Sequence, residues 1–157
     1  MAKKRFTKKE RPEYEQKLLE LARVTRVVKG GRRFRFRAVL IIGNRNGKVG
    51  VGVAKGADVS ESIRKAFNNA RKNIVQIKRH NNTIASVAEA KVGSAKVIIK
   101  PARPGRGIVA GGAVRAVVEL AGVRDIVSKS LGSANKLSVA RATVKALEQV
   151  RTLSSRN

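Results

Sequence analysis

Residues 31–56 read GRRFRFRAVLIIGNRNGKVGVGVAKG, and they carry the strand and turn pattern from which the first part of the fold is predicted. In its first half, alternate residues are apolar, and the positions between them begin with three arginines. The apolar set is Phe34, Phe36, Ala38, Leu40 and Ile42, and the cationic set is Arg33, Arg35 and Arg37. Because successive side chains of a strand point to opposite faces, we predict a strand with a core face and a cationic face.

A turn and a second strand follow. Residues 44–47 contain Asn and Gly, which tolerate the positive φ of hairpin turns, so we predict that residues 48–55 return antiparallel. The returning strand sets Val49, Val51 and Val53 against Gly50, Gly52 and Ala54. Its glycine face would let another element pack closely. Residues 23–29 are expected to supply a third strand, joined through the glycines at 30 and 31.

Helices are predicted before and after these strands in the sequence. Residues 13–22 have apolar residues at helical spacing and acids near their start, which the helix dipole favours. The spaced apolar residues are Tyr14, Leu18 and Leu21. After a cap at Asp58 or Ser60, apolar residues recur on one helical face from Ile63 to Ile77. The order α-β-β-β-α is that of a double-stranded-RNA-binding domain.

The pattern changes at residues 80–82, where we place a linker. Beyond it, residues 84–92 and 96–100 read as strands, and a helix, a strand and a last helix follow, giving β-β-α-β-α. We expect Gly122 to end the first of these helices and Ser133 or Asn135 to cap the last.

The predicted fold class is therefore α+β, with two small α/β sandwich domains. The first is double-stranded-RNA-binding-like and covers residues 13–79, and the second covers residues 83–157. A basic N-terminal arm, residues 1–12, precedes them.

The charge of the chain indicates a polyanionic partner. The chain has 36 Lys plus Arg against 10 Asp plus Glu, a net charge of +26. Such a charge repels itself unless a polyanion neutralises it, and a phosphate backbone is the commonest one. No acid occurs between Leu21 and Ala57. The predicted RNA-binding residues are Arg23, Arg26, Lys29, Arg32, Arg33, Arg35, Arg37, Arg45, Lys48 and Lys55, with Arg64, Lys65, Arg71 and Lys72 on the helix that follows.

The few aromatic residues argue against a protein that stacks many unpaired bases. Phe34 and Phe36 share the apolar face of their strand, so we expect them to be buried under the helix and not to stack on bases.

Catalytic and metal sites are poorly supported by the residues present. There is no Cys, and the only Asp residues are Asp58 and Asp125. His80 is the only His and is read as a linker residue, so we predict no enzyme, no metal and no cofactor. No apolar run approaches the roughly 18 residues of a membrane span, and no signal-peptide core follows the basic start, so a soluble cytoplasmic protein without membrane contact is expected.

A Gly-rich segment, residues 104–112, leaves two interpretations open. It lacks the Gly-Lys-Ser/Thr ending of a nucleotide-binding loop. Its backbone N–H groups could approach an RNA phosphate, or it could be a structural turn. Two alternatives to an RNA-binding protein also stay open: an architectural DNA-binding protein would share the charge, and a phosphotransferase would share this segment.

Several runs of the sequence resemble the signature of the small-subunit ribosomal protein five family. In the first part they are GRRFRFRA (31–38), GNRNGKVGVG (43–52) and SIRKAF (62–67). In the second part they are Pro101, GRGIVAGG (105–112), RAV (115–117), ELAGV (119–123) and LGS (131–133). The resemblance covers roughly residues 14–150.

The resemblance implies a structural constituent of the small ribosomal subunit that binds small-subunit rRNA and contributes to translational accuracy and subunit assembly. It implies a second domain of the type shared with the ribonuclease P protein and domain IV of the translocation factor. The basic loop, residues 24–33, would reach toward the neck and the spectinomycin pocket. Ribosomal protein eight would touch the second domain, and no small-molecule substrate is expected.

In the same resemblance, residues 105–115, which overlap the Gly-rich segment, would lie at the contact with ribosomal protein four, which influences decoding accuracy. The residues of this implied contact are Gly105, Arg106, Gly107, Gly111, Gly112 and Arg115.

Overall fold

The computed structural model describes residues 13–150, which form two four-stranded sheets and three helices. The first sheet has the strand order β1-β2-β3-β4 and the second β5-β6-β8-β7. The predicted α+β class is confirmed. The predicted basic arm, residues 1–12, lies outside the described residues.

The first sheet is built from the predicted hairpin and its neighbours. Its strands are β1 (Glu15–Val28), β2 (Gly31–Gly43), β3 (Lys48–Gly56) and β4 (Ile74–Gln76). The turn between β2 and β3 forms as predicted: the Asn44 side chain accepts hydrogen bonds from the N–H groups of Asn46 (2.8 Å) and Lys48 (3.0 Å). Gly47 takes a φ of 90°, which favours glycine.

The predicted helix over residues 13–22 is wrong, because most of these residues belong to β1. Leu18 and Leu21 lie opposite residues of β2 whose side chains are buried in the core of this sheet. A β-bulge between Leu18 and Glu20 interrupts the register of the strand. The two leucines are three residues apart, a spacing that indicates a helix when only the sequence is considered. The extra residue of the bulge gives the same spacing to two residues on one face of a strand. The order of the first part is therefore β-β-β-α-β.

One helix, α1 (Val59–Lys72), covers one face of this sheet. It begins as predicted, where the Asp58 carboxylate accepts a hydrogen bond from the Val59 N–H at 2.7 Å. The expectation that it continues to Ile77 is wrong, because residues 74–76 form β4 and pair with β3. Two of the three residues of β4 are β-branched, and β-branched side chains favour strands.

The glycines of β3 let α1 pack against the sheet, as the sequence predicts. A Cβ at Gly50 would lie 2.6 Å from the carbonyl oxygen of Ala70, and one at Gly52 would overlap the carbonyl oxygen of Ala66. Larger residues at these two positions would push the helix off the sheet. The contact buries Ala38, Leu40 and Ile42 against Ala66 and Ala70.

The second sheet follows the predicted β-β-α-β-α order with one addition. The elements are β5 (Ala88–Val92), β6 (Ala95–Pro101), β7 (Ile108–Val109), α2 (Gly112–Ala121), β8 (Ile126–Gly132) and α3 (Lys136–Gln149). The addition is β7, an edge strand parallel to β8 that is too short to show a periodicity. The strand expected to start at Ile84 begins at Ala88, and Ile84 is instead a buried core residue.

Two boundaries of the second part form as predicted. Gly122 ends α2 at a φ of 81°. The Asn135 side chain caps α3 by accepting a hydrogen bond from the Leu137 N–H at 3.1 Å.

The face of the first sheet opposite α1 packs against the second part of the chain. Val39 and Ile41 belong to this face and are fully buried. Ile41, Val49, Val51 and Ile77 lie in the same buried cluster as the apolar residues of α2 and α3. Because the two parts share one core, the division into residues 13–79 and 83–157 stays a prediction. The face predicted to be cationic along β2 is cationic only as far as Arg37.

Backbone hydrogen bonds join the β2–β3 turn to the C-terminal end of α2. The Arg45 N–H donates to the Leu120 carbonyl oxygen at 2.9 Å, and the Gly47 N–H donates to the Ala121 carbonyl oxygen at 3.0 Å. The last carbonyl groups of a helix have no N–H partner within the helix itself. The turn of one sheet therefore caps a helix of the other and fixes the two parts together.

Candidate nucleic-acid interface

The outer part of the β1–β2 hairpin extends beyond the rest of the first sheet. β2 pairs with β3 only between Phe36 and Gly43, whereas its pairing with β1 continues outward to Gly31. Residues 23–35 therefore form a two-stranded segment, which we name the basic ribbon. Its cations are Arg23, Arg26, Lys29, Arg32, Arg33 and Arg35.

One face of the basic ribbon lines a cleft of about 460 Å³, the ribbon cleft. Its cations are Arg26, Arg33, Arg35 and Lys55. Arg26 lies directly opposite Arg33 in the strand register, and like charges placed opposite each other repel. No acidic residue among those described lines this cleft. A bound anion would relieve the repulsion, so the ribbon cleft suits a polyanion.

The other face of the basic ribbon exposes an aromatic ring. Phe34 is 48% exposed, and the Arg23 guanidinium carbon lies 4.5 Å from the centroid of its ring. The expectation that Phe34 is buried under the helix is therefore wrong, while Phe36 is half-buried. The reason is that α1 packs against the inner part of β2 and against β3, and the ribbon extends past them.

Three of the predicted RNA-binding cations form ion pairs. The pairs are Arg37 Nη2 to Glu20 Oε2 at 3.0 Å, Arg45 Nε to Glu15 Oε2 at 2.8 Å and Lys65 Nζ to Glu61 Oε1 at 2.7 Å. Pairs at the surface contribute about 0–1 kcal/mol, so an RNA phosphate can compete for these cations. Arg37 is more constrained than the others, since its Nε is buried and has no hydrogen-bond partner among the described residues.

The structure does not bring all the predicted cations onto one surface. The cations of α1 are Arg64, Lys65, Arg71 and Lys72. α1 lies over the face of Leu40 and Ile42, whereas Arg33 and Arg35 belong to the opposite face. Lys48 is exposed at the start of β3. Only part of the predicted set therefore gathers at the ribbon cleft.

Two carboxyl groups have pKa values lowered by lysines. Lys65 hydrogen-bonds to Glu61 and, with a further hydrogen bond from the Ala57 N–H, holds the pKa of that carboxyl below its ordinary 4.5. Lys17 does the same to the pKa of Glu119, whose Oε2 lies 3.0 Å from the lysine Nζ. Both carboxyl groups are therefore ionised near neutral pH and partly neutralise the cations beside them.

The Gly-rich segment is held by a buried acid. The Asp125 carboxylate accepts a hydrogen bond from the Gly107 N–H at 2.9 Å. Gly105 and Gly107 have φ values of 85° and 76°, which favour glycine. The segment then leads into α2 through Gly111 and Gly112, which are exposed, and a Cβ added at either would meet no atom within 4 Å. The segment is thus an anchored, largely exposed surface.

A second cationic cleft, which the sequence does not predict, lies between the two sheets. We name this cavity of about 520 Å³ the junction cleft. Its cations are Arg45, Arg79, Arg115 and Arg124. The sequence predicts separate roles for Arg45 and Arg115 and no role for Arg79 and Arg124. Because these residues come from distant positions in the chain, no local run of charge reveals them.

Metal-binding clusters and membrane-spanning helices are both absent from residues 13–150. Residues 13–150 contain no group of three or more His, Asp or Glu side chains placed to hold a metal ion. Among the helices of these residues, none is long and apolar enough to cross a membrane.

Comparison with known proteins identifies the family. Family models described as ribosomal protein S5, N-terminal domain, and ribosomal protein S5, C-terminal domain, match residues 14–78 and 90–156. Small ribosomal subunit protein uS5 of Campylobacter jejuni (serotype O:23/36, strain 81-176) is 51% identical over 141 residues, which are 90% of this chain and 96% of that protein. Small ribosomal subunit protein uS5c of Guillardia theta is 46% identical over 150 residues, which are 95% of this chain and 89% of that protein.

These matches confirm the family that the sequence motifs indicate and exclude the phosphotransferase alternative. The chain belongs to the ribosomal protein S5 family, whose members are structural, non-enzymatic constituents of the small ribosomal subunit and, in bacteria, cytoplasmic proteins.

Proposed function

We propose that this chain binds small-subunit rRNA, with the ribbon cleft as its principal contact, and that it thereby contributes to subunit assembly and translational accuracy. The observation that carries the proposal is the cleft itself. Four cations from three strands meet there with no described acid among them. The proposed RNA-binding residues remain the fourteen cations predicted from the sequence. The four cations of the ribbon cleft are expected to contribute most to binding.

The chemistry of the ribbon cleft favours phosphate over base edges. Arginine guanidinium groups donate paired hydrogen bonds that match phosphate oxygens. RNA helices are bound mostly through phosphates and 2′-hydroxyls, because their major groove is too narrow for side chains. Phe34 on the opposite face of the ribbon is exposed and adds a surface for one sugar or base.

A charge reversal at Arg33 tests the proposal. Arg33→Glu removes one phosphate contact and adds a repulsive charge, so affinity for a small-subunit rRNA fragment should fall roughly tenfold or more at about 0.1 M salt. Arg33 is exposed, so the thermal unfolding midpoint should stay near that of the original chain. Lys91→Glu, the same charge change at an exposed position of β5, is the control and should alter affinity far less. Equal effects of the two substitutions on affinity would show that the ribbon cleft is not part of the RNA interface.

The salt dependence of binding tests the phosphate mechanism as a whole. If about eight cations each neutralise one phosphate, the slope of log affinity against log salt should lie between about −6 and −7. A slope near zero would contradict the mechanism. The same titration with duplex DNA addresses the DNA-binding alternative, which predicts equal or tighter binding to DNA at matched salt.

We also propose that residues 105–115, which overlap the Gly-rich segment, contact ribosomal protein four. Ribosomal protein eight would contact the second part of the chain, and residues 24–33 would lie near the spectinomycin site. The exposure of Gly111 and Gly112 supports the first of these contacts. Because the chain has no Cys, Gly112→Cys carries a single thiol. A cross-linker on that thiol should capture ribosomal protein four in assembled subunits, and capture only of other proteins would argue against the contact.

A further inference from the structure

We propose that the junction cleft is a second binding site for RNA phosphate, distinct from the ribbon cleft and formed only when the two sheets are docked. The proposal rests on the chain being an rRNA-binding protein and adds a site on a different surface. Arg45 and Arg79 come from the first part of the chain, and Arg115 and Arg124 come from the second. A phosphate bound between them would contact both parts at once.

Two of the arginines are already held in place by the contact between the sheets. The Arg79 side chain donates to the Gly122 carbonyl oxygen at 3.0 Å and to Asn46 Oδ1 at 2.6 Å. The Arg45 backbone N–H is bound to the end of α2, and its side chain pairs with Glu15. Positioning them costs the ligand little entropy, because folding has already restricted them.

The other two arginines are available to a ligand. The side chains of Arg115 and Arg124 are exposed and form no ion pair or hydrogen bond with any described residue. Arg115 is also the last residue of the segment proposed to contact ribosomal protein four, so Arg124 is the arginine of this pair that has no other proposed partner. The backbone beside Arg124 is nevertheless fixed, since its N–H donates to the Asn82 carbonyl oxygen at 2.8 Å. Two guanidinium groups without an acidic partner, on a fixed backbone, can each donate hydrogen bonds to a phosphate oxygen.

One carboxylate opposes an anion in this cleft. Glu119 lines the same cavity as the four arginines. Its charge is already compensated by Lys17 at 3.0 Å, and Arg45 and Arg115 help to hold its pKa low. The positive charge of the cleft therefore exceeds the negative charge, and Glu119 weakens the attraction without cancelling it.

The lining favours RNA over an acidic protein segment. Protein interfaces are centred on buried aromatic or aliphatic anchors that fill pockets in the partner. The junction cleft has no aromatic residue among its described lining residues, and its apolar side chains are limited to Ile108 and Val123, the latter already buried. A site made mainly of guanidinium groups matches a phosphodiester.

The test uses the full chain and small-subunit rRNA, with affinity measured against salt. Arg115→Ala combined with Arg124→Ala should reduce the magnitude of the salt slope by about 1.4 to 1.8 and weaken binding roughly 25- to 60-fold at about 0.1 M salt. Replacing the same two residues with Lys should preserve most of the slope, since the charge is kept. Glu119→Gln should tighten binding several-fold, an effect that a damaged fold would not produce.

A charge-matched control is Lys136→Ala combined with Arg141→Ala, at two exposed positions of α3. The control should change the salt slope less than the variant with Arg115→Ala and Arg124→Ala, here called the cleft variant. Provided that Arg33→Glu still weakens binding, either of two results overturns the proposal. The first is that the cleft variant behaves like the control, and the second is that Glu119→Gln leaves affinity unchanged. Normal rRNA binding by the cleft variant with loss of a protein contact in assembled subunits would also overturn it and would assign the cleft to a protein. If the original chain shows no salt-dependent rRNA binding, the proposed function itself fails.

Discussion

Gly122→Ala tests how tightly the β2–β3 turn is joined to α2. Gly122 ends α2 with a φ of 81°, in the left-handed region that strains any residue with a Cβ. A Cβ at this position would overlap the carbonyl oxygen of Arg45 and lie 3.1 Å from its Cα. Both atoms are backbone, so no side-chain rotation relieves the overlap. The turn must move away from the helix.

The expected cost follows from three contributions. The left-handed backbone costs an alanine about 1–2 kcal/mol. Overpacking against a fixed backbone adds about 1–3 kcal/mol. Displacing the turn weakens the hydrogen bonds from Arg45 to Leu120 and from Gly47 to Ala121, each worth about 1 kcal/mol. The substitution should therefore lower the free energy of unfolding by roughly 2–7 kcal/mol, a large part of the roughly 5–15 kcal/mol of a typical domain.

Urea unfolding at neutral pH, with Gly93→Ala as the control, measures this cost. Gly93 also has a positive φ, 61°, but a Cβ there would meet nothing within 4 Å. Its replacement should cost only the backbone strain, about 1–2 kcal/mol. The difference between the two variants isolates the contact between the turn and α2. Equal losses of stability would show that the turn adapts freely and would refute the steric reasoning.

Two further predictions concern acids. Because Lys65 lowers the pKa of Glu61 below 4.5, the stability that Glu61 contributes is present above pH 4.5 and is lost as the pH falls through the folded-state pKa. The substitution Lys65→Ala should raise the midpoint of the Glu61 titration measured by NMR. An unchanged midpoint would contradict the pairing. The substitution Asp125→Ala leaves the Gly107 N–H without its acceptor, so the free energy of unfolding should fall by about 1–3 kcal/mol. The Gly107 amide should also exchange faster with deuterium. Unaltered exchange would mean that another group holds the Gly-rich segment.

The sequence predicts those elements in which local pattern and packing agree. The glycines of β3 indicate a close neighbour because only a missing side chain permits such an approach, and α1 occupies that space. Asp58 and Gly122 mark helix ends through chemistry that depends on one or two residues. Such signals are local, so tertiary structure does not alter them.

The predictions from the sequence are wrong where contacts between residues distant in the chain determine the structure that a local pattern adopts. The bulge in β1 places same-face leucines three residues apart, which is also the spacing of a helix. Phe34 continues the apolar alternation of β2, but α1 does not reach it, and nothing in the alternation shows where the helix stops. The junction cleft combines arginines from distant parts of the chain, and their proximity depends on how the two sheets dock.

A single face of β2 shows how the packing of the two sheets against each other also limits the proposed RNA-binding surface. Arg33 and Arg35 lie on the same face as Val39 and Ile41, yet the arginines are exposed and the two apolar residues are fully buried. An apolar surface of this kind is stable only when another element covers it, and here Ile41 packs in one cluster with the apolar residues of α2 and α3. Between them stands Arg37, partly buried and paired with Glu20. An RNA that neutralises the basic ribbon must therefore approach the outer end of this face, because the inner end is already occupied by the protein itself.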